Sequence, residues 1–253
     1  MTREELRRQG EAMQAGLRGD GPDLPPGFGT LLTEAVFGGI WSRPGLEMPD
    51  RMICTLAALG VFPRLRALRR LIAAALDVGL APAAIREALI QAALYAGFSA
   101  AEETLELAAE VFAARGVTFP ADPPADVSLE DLAARGRTTM QALHGERALQ
   151  GYAAPDNPVT GALYPLAIQY GYGDIWSRPG LGRRERALVS VAAFTALRLP
   201  EQVQKFGQSA LNVGLTKTEV IEAVIQTAPH SGFPPALNAL AALSAAFRRD
   251  EGC

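Results

Sequence analysis

Two glutamates and two glutamines carry the most informative spacing in the chain. Glu222 and Gln226 stand one helical turn apart in TEVIEAVIQTAPHSGF (218–233), and Glu87 and Gln91 repeat that spacing in REALIQAALYAGF (86–98). At 100° per residue, Glu219, Glu222 and Gln226 fall within an arc of about 60°. The rest of that helix, Val220, Ile221, Ala223, Val224 and Ile225, is apolar. A surface helix shows a broader polar face, so so narrow a line faces either a cleft or an interface, or forms a thin solvated stripe. His230 continues the edge, and Tyr95 is its counterpart in the other string. Both side chains can donate a hydrogen bond or a proton, and imidazole titrates near neutrality; a lone histidine can equally be structural. Arg43 and Arg178 stand in a repeated IWSRPGL. Their guanidinium forks can grip a carboxylate, or the segment is only a packed turn, with Pro44 and Pro179 fixing φ and Trp41 and Trp176 anchoring it. The candidate catalytic residues are therefore His230 and Glu222. The candidate substrate contacts are Arg178, Gln226, Trp176, Tyr95, Glu87 and Gln91.

Other reactive side chains carry less. Cys54 lies in an apolar helix with no neighbour to lower its pKa, which describes an inert buried thiol, and Cys253 is expected to be mobile. With two cysteines and no CxxC, neither a disulfide framework nor a cysteine-rich metal site can be built. His144 is expected to be solvated, as are Arg64, Arg66, Arg69 and Arg70, which have no mirrored cluster. The chain has no P-loop, Rossmann glycine pattern, HExxH or GxSxG, so nucleotide, zinc-protease and serine-hydrolase chemistry fall away. No cofactor and no metal are expected.

The elements that position these residues come in two copies. IWSRPGL recurs at 40–46 and 175–181, and the same offset of 135 relates LDVGL (76–80) to LNVGL (211–215) and Gly97-Phe98 to Gly232-Phe233. Upstream, Gly10 with Met13-Gln14-Ala15 matches Gly136 with Met140-Gln141-Ala142 at an offset near 127. That implies a loop about eight residues longer in the second copy. The Pro-rich stretch 116–128 separates the copies, giving a first repeat over 1–115 and a second over 129–253. Capping-box patterns at Thr2-x-x-Glu5, Ser99-x-x-Glu102 and Thr216-x-x-Glu219 each open a helix. Gly79 and Gly214 fit the left-handed residue just past a helix end, while Pro229 and Pro234-Pro235 are expected to break the helix. Period-2 alternation is nowhere sustained, so the fold class is all-α, a tandem of two helical bundles over helices such as 82–95 and 217–230.

Composition is consistent with that fold. The 253 residues are 49% hydrophobic and 20% charged, enough apolar content for a sizeable core. With 24 basic against 27 acidic residues, no nucleic-acid footprint is present. No apolar run approaches a membrane span, and MTREELRRQG has no apolar h-region. A cytoplasmic protein that binds a small molecule is the expectation.

FGGIWSRPGL, ALDVGL and REALIQAALYAGF, followed by YGDIWSRPGL and ALNVGLTKTEVIEAVIQTAPHSGFPPALNAL, resemble the carboxymuconolactone decarboxylase family, which includes alkylhydroperoxidase D-like proteins. The resemblance covers roughly 30–115 and 165–248. It implies an all-α fold whose single-repeat members form oligomeric rings, commonly hexamers. A tandem chain would reach that geometry as a homotrimer with pseudo-sixfold symmetry. Peroxidatic members carry CxxC followed four residues later by His. Here Leu199, Gln202 and Phe206 stand at those positions, and Arg64, Ala67 and Leu71 in the first copy. A dithiol relay is therefore chemically impossible. The resemblance implies a cofactor-free lyase for a small carboxylated or lactone-type metabolite. Arg178 would hold the carboxylate, Gln226 the lactone carbonyl and His230 the proton, with Glu222 orienting it. The alternative is a non-enzymatic trimeric binding or scaffold protein that has lost the catalytic histidine.

Overall fold

The computed structural model describes residues 2–17, 24–25, 27–62, 64–119, 126–150 and 157–249; Cys253 and residues 120–125 of the Pro-rich stretch lie outside them. The described residues are helical, without strands. The first repeat runs α1 (Arg3–Leu17), α2 (Phe28–Leu31), α3 (Met48–Val61), α4 (Leu65–Asp77), α5 (Pro82–Ala96) and α6 (Phe98–Ala114). The second runs α7 (Leu129–His144), α8 (Tyr164–Leu166), α9 (Arg183–Ala196), α10 (Pro200–Asn212), α11 (Lys217–Ser231) and α12 (Phe233–Arg249). The short α2 and α8 each continue into a π-helix, Leu32–Trp41 and Ala167–Asp174. Wide turns of this kind are rare, and here they recur at the same place in both repeats.

Helix α1 lies along the first π-helix and α7 along the second. Contact is so close that a Cβ on Gly10, Gly38, Gly136 or Gly173 would overlap a facing carbonyl oxygen, of Thr33, Leu6, Ile168 and Leu132 respectively. These pairs fix the register of the first helices. Gly10 answers Gly136 and Leu6 answers Leu132, an offset of 126 rather than the 127 that the Met-Gln-Ala match implies. Backbone proximity tolerates only glycine, so it outranks the identity of surface side chains.

The core lies between the repeats. Helix α3 packs on α9; α5 of the first repeat also packs on α9, and α11 of the second on α3. Almost every residue of α3 and α9 is buried, which is why both read as continuous apolar runs. Helix α11 begins with the expected capping box at Thr216 and Glu219, and Thr2 with Glu5 forms the same pair of bonds. Ser99 does not cap: the cap is Gly97, two residues earlier, and α6 begins at Phe98. Pro229 does not break α11, which runs on to Ser231, and Pro234-Pro235 occupy the first turn of α12, where no N–H is needed. Gly79 and Gly214 have the expected left-handed φ, 86° and 98°. No helix among the described residues is long and apolar enough to cross a membrane.

Candidate functional site between the repeats

The Glu/Gln stripes are not solvated. Each faces the other repeat and meets an arginine that opens the partner's central helix. In one half, Arg186 of α9 is fully buried. It donates through Nη2 to Glu87 Oε2 (3.1 Å) and to the carbonyl of Arg178 (3.0 Å), and through Nη1 to Gln91 Oε1 (3.0 Å). Gln91 Nε2 donates to the Arg186 carbonyl (2.8 Å) and to Ser190 Oγ (3.2 Å), and Arg178 Nε donates to Glu87 Oε2 (3.0 Å). In the other half, Arg51 of α3 donates to Glu222 Oε2 (3.2 Å), Gln226 Oε1 (3.0 Å) and the Arg43 carbonyl (2.6 Å). Arg43 Nη2 donates to Glu222 Oε1 (2.7 Å), and Gln226 Nε2 to Thr55 Oγ1 (3.2 Å). The two networks are the same network at an offset of 135, built reciprocally.

The local sequence explains this reciprocity. The Pro-Gly turns at 44–45 and 179–180 reverse the chain with φ of +92° and +94° at glycine, and each turn abuts the facing helix, Gly45 on Thr218 and Gly180 on Ala83. A side chain at either glycine would meet both strain and an occupied space. Those turns carry Arg43 and Arg178 to the glutamates of the opposite repeat.

The candidate residues thus divide between two half-sites. Arg178, Glu87, Gln91, Tyr95 and Trp176 belong to one, and Glu222, Gln226 and His230 to the other. Arg178 does not converge with Gln226 and His230; its guanidinium is committed to Glu87. The sequence reading missed Arg51 and Arg186, although both open an apolar helix at the repeat offset, a signal as plain as that of the stripes. It missed Thr55 and Ser190 for want of the same comparison.

The ends of the stripes differ. Tyr95 OH and Ser190 Oγ are 2.7 Å apart, and Tyr95 lies 4.5 Å from the Phe194 ring centroid. Burial pushes its phenol up, with bonds to Ser190, Gln91 and Trp176 working the other way. His230, at the matching position, is mostly buried, and its Nε2 is buried without a hydrogen-bond partner among the described residues. Burial, reinforced by the nearby charge of Arg64, lowers its pKa to about 4, so the ring is neutral at pH 7.

His144 is not solvated. The packing of α7 along the second π-helix and α10 brings it inside, with Nδ1 2.7 Å from Ser209 Oγ and Nε2 3.0 Å from Tyr172 OH. Its ring stands edge-on to Phe206, 5.1 Å between centroids, and burial lowers its pKa to about 4. The first repeat has Phe37 and Ala74 where the second has Tyr172 and Ser209, so this polar cluster belongs to one half alone. Three distant segments supply it, which is why no spacing announces it. Cys54 is buried, and desolvation pushes its thiol up, as an inert thiol requires. Arg64, Arg66, Arg69 and Arg70 are all exposed, as expected, with Arg69 pairing Glu110 across α4 and α6. No group of metal-ligating side chains occurs among the described residues.

An all-α tandem of two matching bundles that share reciprocal carboxylate–guanidinium–amide networks defines the class of protein. Residues 26–110 and 162–245 each match the model of the carboxymuconolactone decarboxylase family, and the chain belongs to that family. Over 66 residues, 26% of this chain and 49% of the relative, it is 33% identical to 4-carboxymuconolactone decarboxylase of Acinetobacter baylyi. Over 83 residues, 33% of this chain and 58% of the relative, it is 29% identical to nitrosuccinic acid decarboxylase npaB of Metarhizium robertsii. The chain thus spans about half the length of the curated relatives it matches.

Proposed function

We propose that this protein is a cofactor-free lyase that decarboxylates a small carboxylated or lactone-type metabolite. The observation that carries the reading is His230, whose Nε2 is buried and unpartnered among the described residues, in a chain whose two quoted relatives are both named decarboxylases. Decarboxylation breaks the bond to the carboxylate carbon, releases CO2 and leaves the electron pair delocalised onto a conjugated carbonyl oxygen. A neutral imidazole with its proton on Nε2 donates a hydrogen bond to that oxygen as charge develops there. With a pKa near 4 almost none of the ring is imidazolium at neutral pH, so water supplies the proton that closes the new C–H bond. Glu222 acts at one remove: it fixes Arg51, which in turn fixes Gln226.

One observation favours the second reading, a trimeric binding or scaffold protein: both stripe glutamates are already saturated by arginines and buried. An ultraviolet assay with γ-carboxymuconolactone, run on the wild type and on His230→Ala, separates the two. Turnover that falls about a hundredfold in the variant supports the lyase, in line with the loss of one oxyanion donor. Equal rates in both proteins exclude His230 from the chemistry, and a wild type inert on a panel of related lactones and carboxylates leaves the scaffold reading.

The proposed assembly is a homotrimer. Phe28 and Leu163, Leu31 and Leu166, and Phe98 and Phe233 are three pairs related by the repeat offset, and each residue is half or more exposed. Large apolar side chains kept exposed at equivalent places in both repeats are what a pseudo-sixfold ring would cover.

A further inference from the structure

Helices α4, α9 and α10 end in the same way. The residue after the helix-capping position is left-handed, and two backbone bonds close the turn: Leu80 N to Ala75 O (2.9 Å) with Gly79 N to Leu76 O (3.0 Å), Leu215 N to Ala210 O (3.0 Å) with Gly214 N to Leu211 O (3.1 Å), and Leu199 N to Phe194 O (2.9 Å) with Arg198 N to Thr195 O (3.1 Å). Two of these ends use glycine. The third uses Arg198, with φ of 62°, the one non-glycine residue at positive φ among the described residues. Glycine takes this conformation without strain and arginine does not, so the side chain is being kept for something other than the turn.

Arg198 lines a cavity of about 560 Å³ whose walls all come from the second repeat. Its guanidinium is exposed and has no ion-pair partner among the described residues. Asn238, also on the wall, has an exposed side-chain amide without a hydrogen bond among the described residues, and Ser231 Oγ donates to Thr227 O (3.0 Å) and lies 3.3 Å from Thr227 Oγ1. Phe194, Val203 and Ala239 close the opposite side, each at most 8% exposed. The first repeat has Pro63 and Glu103 in place of Arg198 and Asn238, removing the cation and adding an anion. A free cation and a free amide over an apolar floor, in a volume suited to a small ligand, match an organic acid: the carboxylate on the fork, the hydrocarbon body on the floor.

We propose that this cavity is a binding site for a small carboxylate with an apolar body, held by Arg198 and Asn238. The site uses no residue of the inter-repeat networks and does not depend on the lyase reading.

Calorimetric titration of the intact protein with benzoate tests it, with benzyl alcohol as the uncharged control. Benzoate is expected to saturate one site per chain, and Arg198→Met to weaken it at least about tenfold, the scale of a charge-assisted fork. Benzyl alcohol should bind weakly and equally to both proteins. Arg198→Gly is the control for folding: relieved of strain, it should melt no lower than the wild type and still lose benzoate. Benzoate bound equally well by both variants, or no saturation at tens of millimolar in the wild type, would overturn the proposal.

Discussion

Removing the Glu87 carboxylate should cost far more than removing the arginine at its rim. Arg186 is wholly buried, and Glu87 is its counter-ion; without it, the guanidinium keeps only the neutral oxygens of Gln91, Arg178 and Leu181. Arg178 and Arg86, which also point at Glu87, would then add two unbalanced positive charges. Stranding a buried charge in this way costs about 3–5 kcal/mol. With a urea dependence of about 3 kcal/mol per molar for a chain of this length, Glu87→Ala should lower the unfolding midpoint by about 1–1.7 M. Arg178→Ala leaves Glu87 paired with Arg186 and should cost about 1 kcal/mol or less. The double variant Glu87→Leu with Arg186→Met replaces the pair by apolar groups and should lie within about 1–2 kcal/mol of the wild type. Far-ultraviolet dichroism and the fluorescence of the buried Trp41 and Trp176 should follow one transition. A midpoint shift below about 0.3 M for Glu87→Ala would refute the reasoning, because it would mean that Arg186 loses nothing with its counter-ion.

Acid should destabilise the protein well before its carboxylates titrate. His144 and His230 have pKa values of about 4 when folded, against about 6.5 when unfolded, so the unfolded chain binds more protons and stability falls as pH drops from about 6.5 towards 4. Each histidine contributes up to about 3 kcal/mol, and urea midpoints at pH 7.5 and 4.5 should converge in a His144→Gln, His230→Gln double variant; parallel losses in variant and wild type would exclude this origin. Light scattering should give a mass of roughly three times 26.8 kDa, and a monomer at micromolar concentration would remove the trimer.

The helices and the duplication were legible because both rest on local or repeated signals. Helix α11, expected over 217–230 and opened by its capping box, runs Lys217–Ser231, and the repeat offset was exact over the central helices. The stripes at Glu87 and Glu222 were legible as narrow polar lines, but their destination was not, since one sequence cannot tell a cleft from a packed neighbour. The missing half of each network, Arg51 and Arg186, was legible only by comparing the two copies, because each stands near the head of an otherwise apolar helix whose composition alone suggests core. Pro229 misled because a proline late in a helix frees only one carbonyl, a cost that packing between α9 and α12 can carry. His144 had no readable signal: its partners lie 28 and 65 residues away, on different helices.

Because each repeat completes its network only with residues of the other, a half-length chain could satisfy its glutamate and arginine only against a second copy of itself. Such a pair would be symmetric, and any substitution would strike both half-sites at once. Joining the halves in one chain lifts that constraint. One half-site has come to end in Tyr95 and Ser190, the other in His230 and Thr55. Two half-sites built on one pattern can therefore differ within one chain, so one can be altered while the other keeps the fold closed.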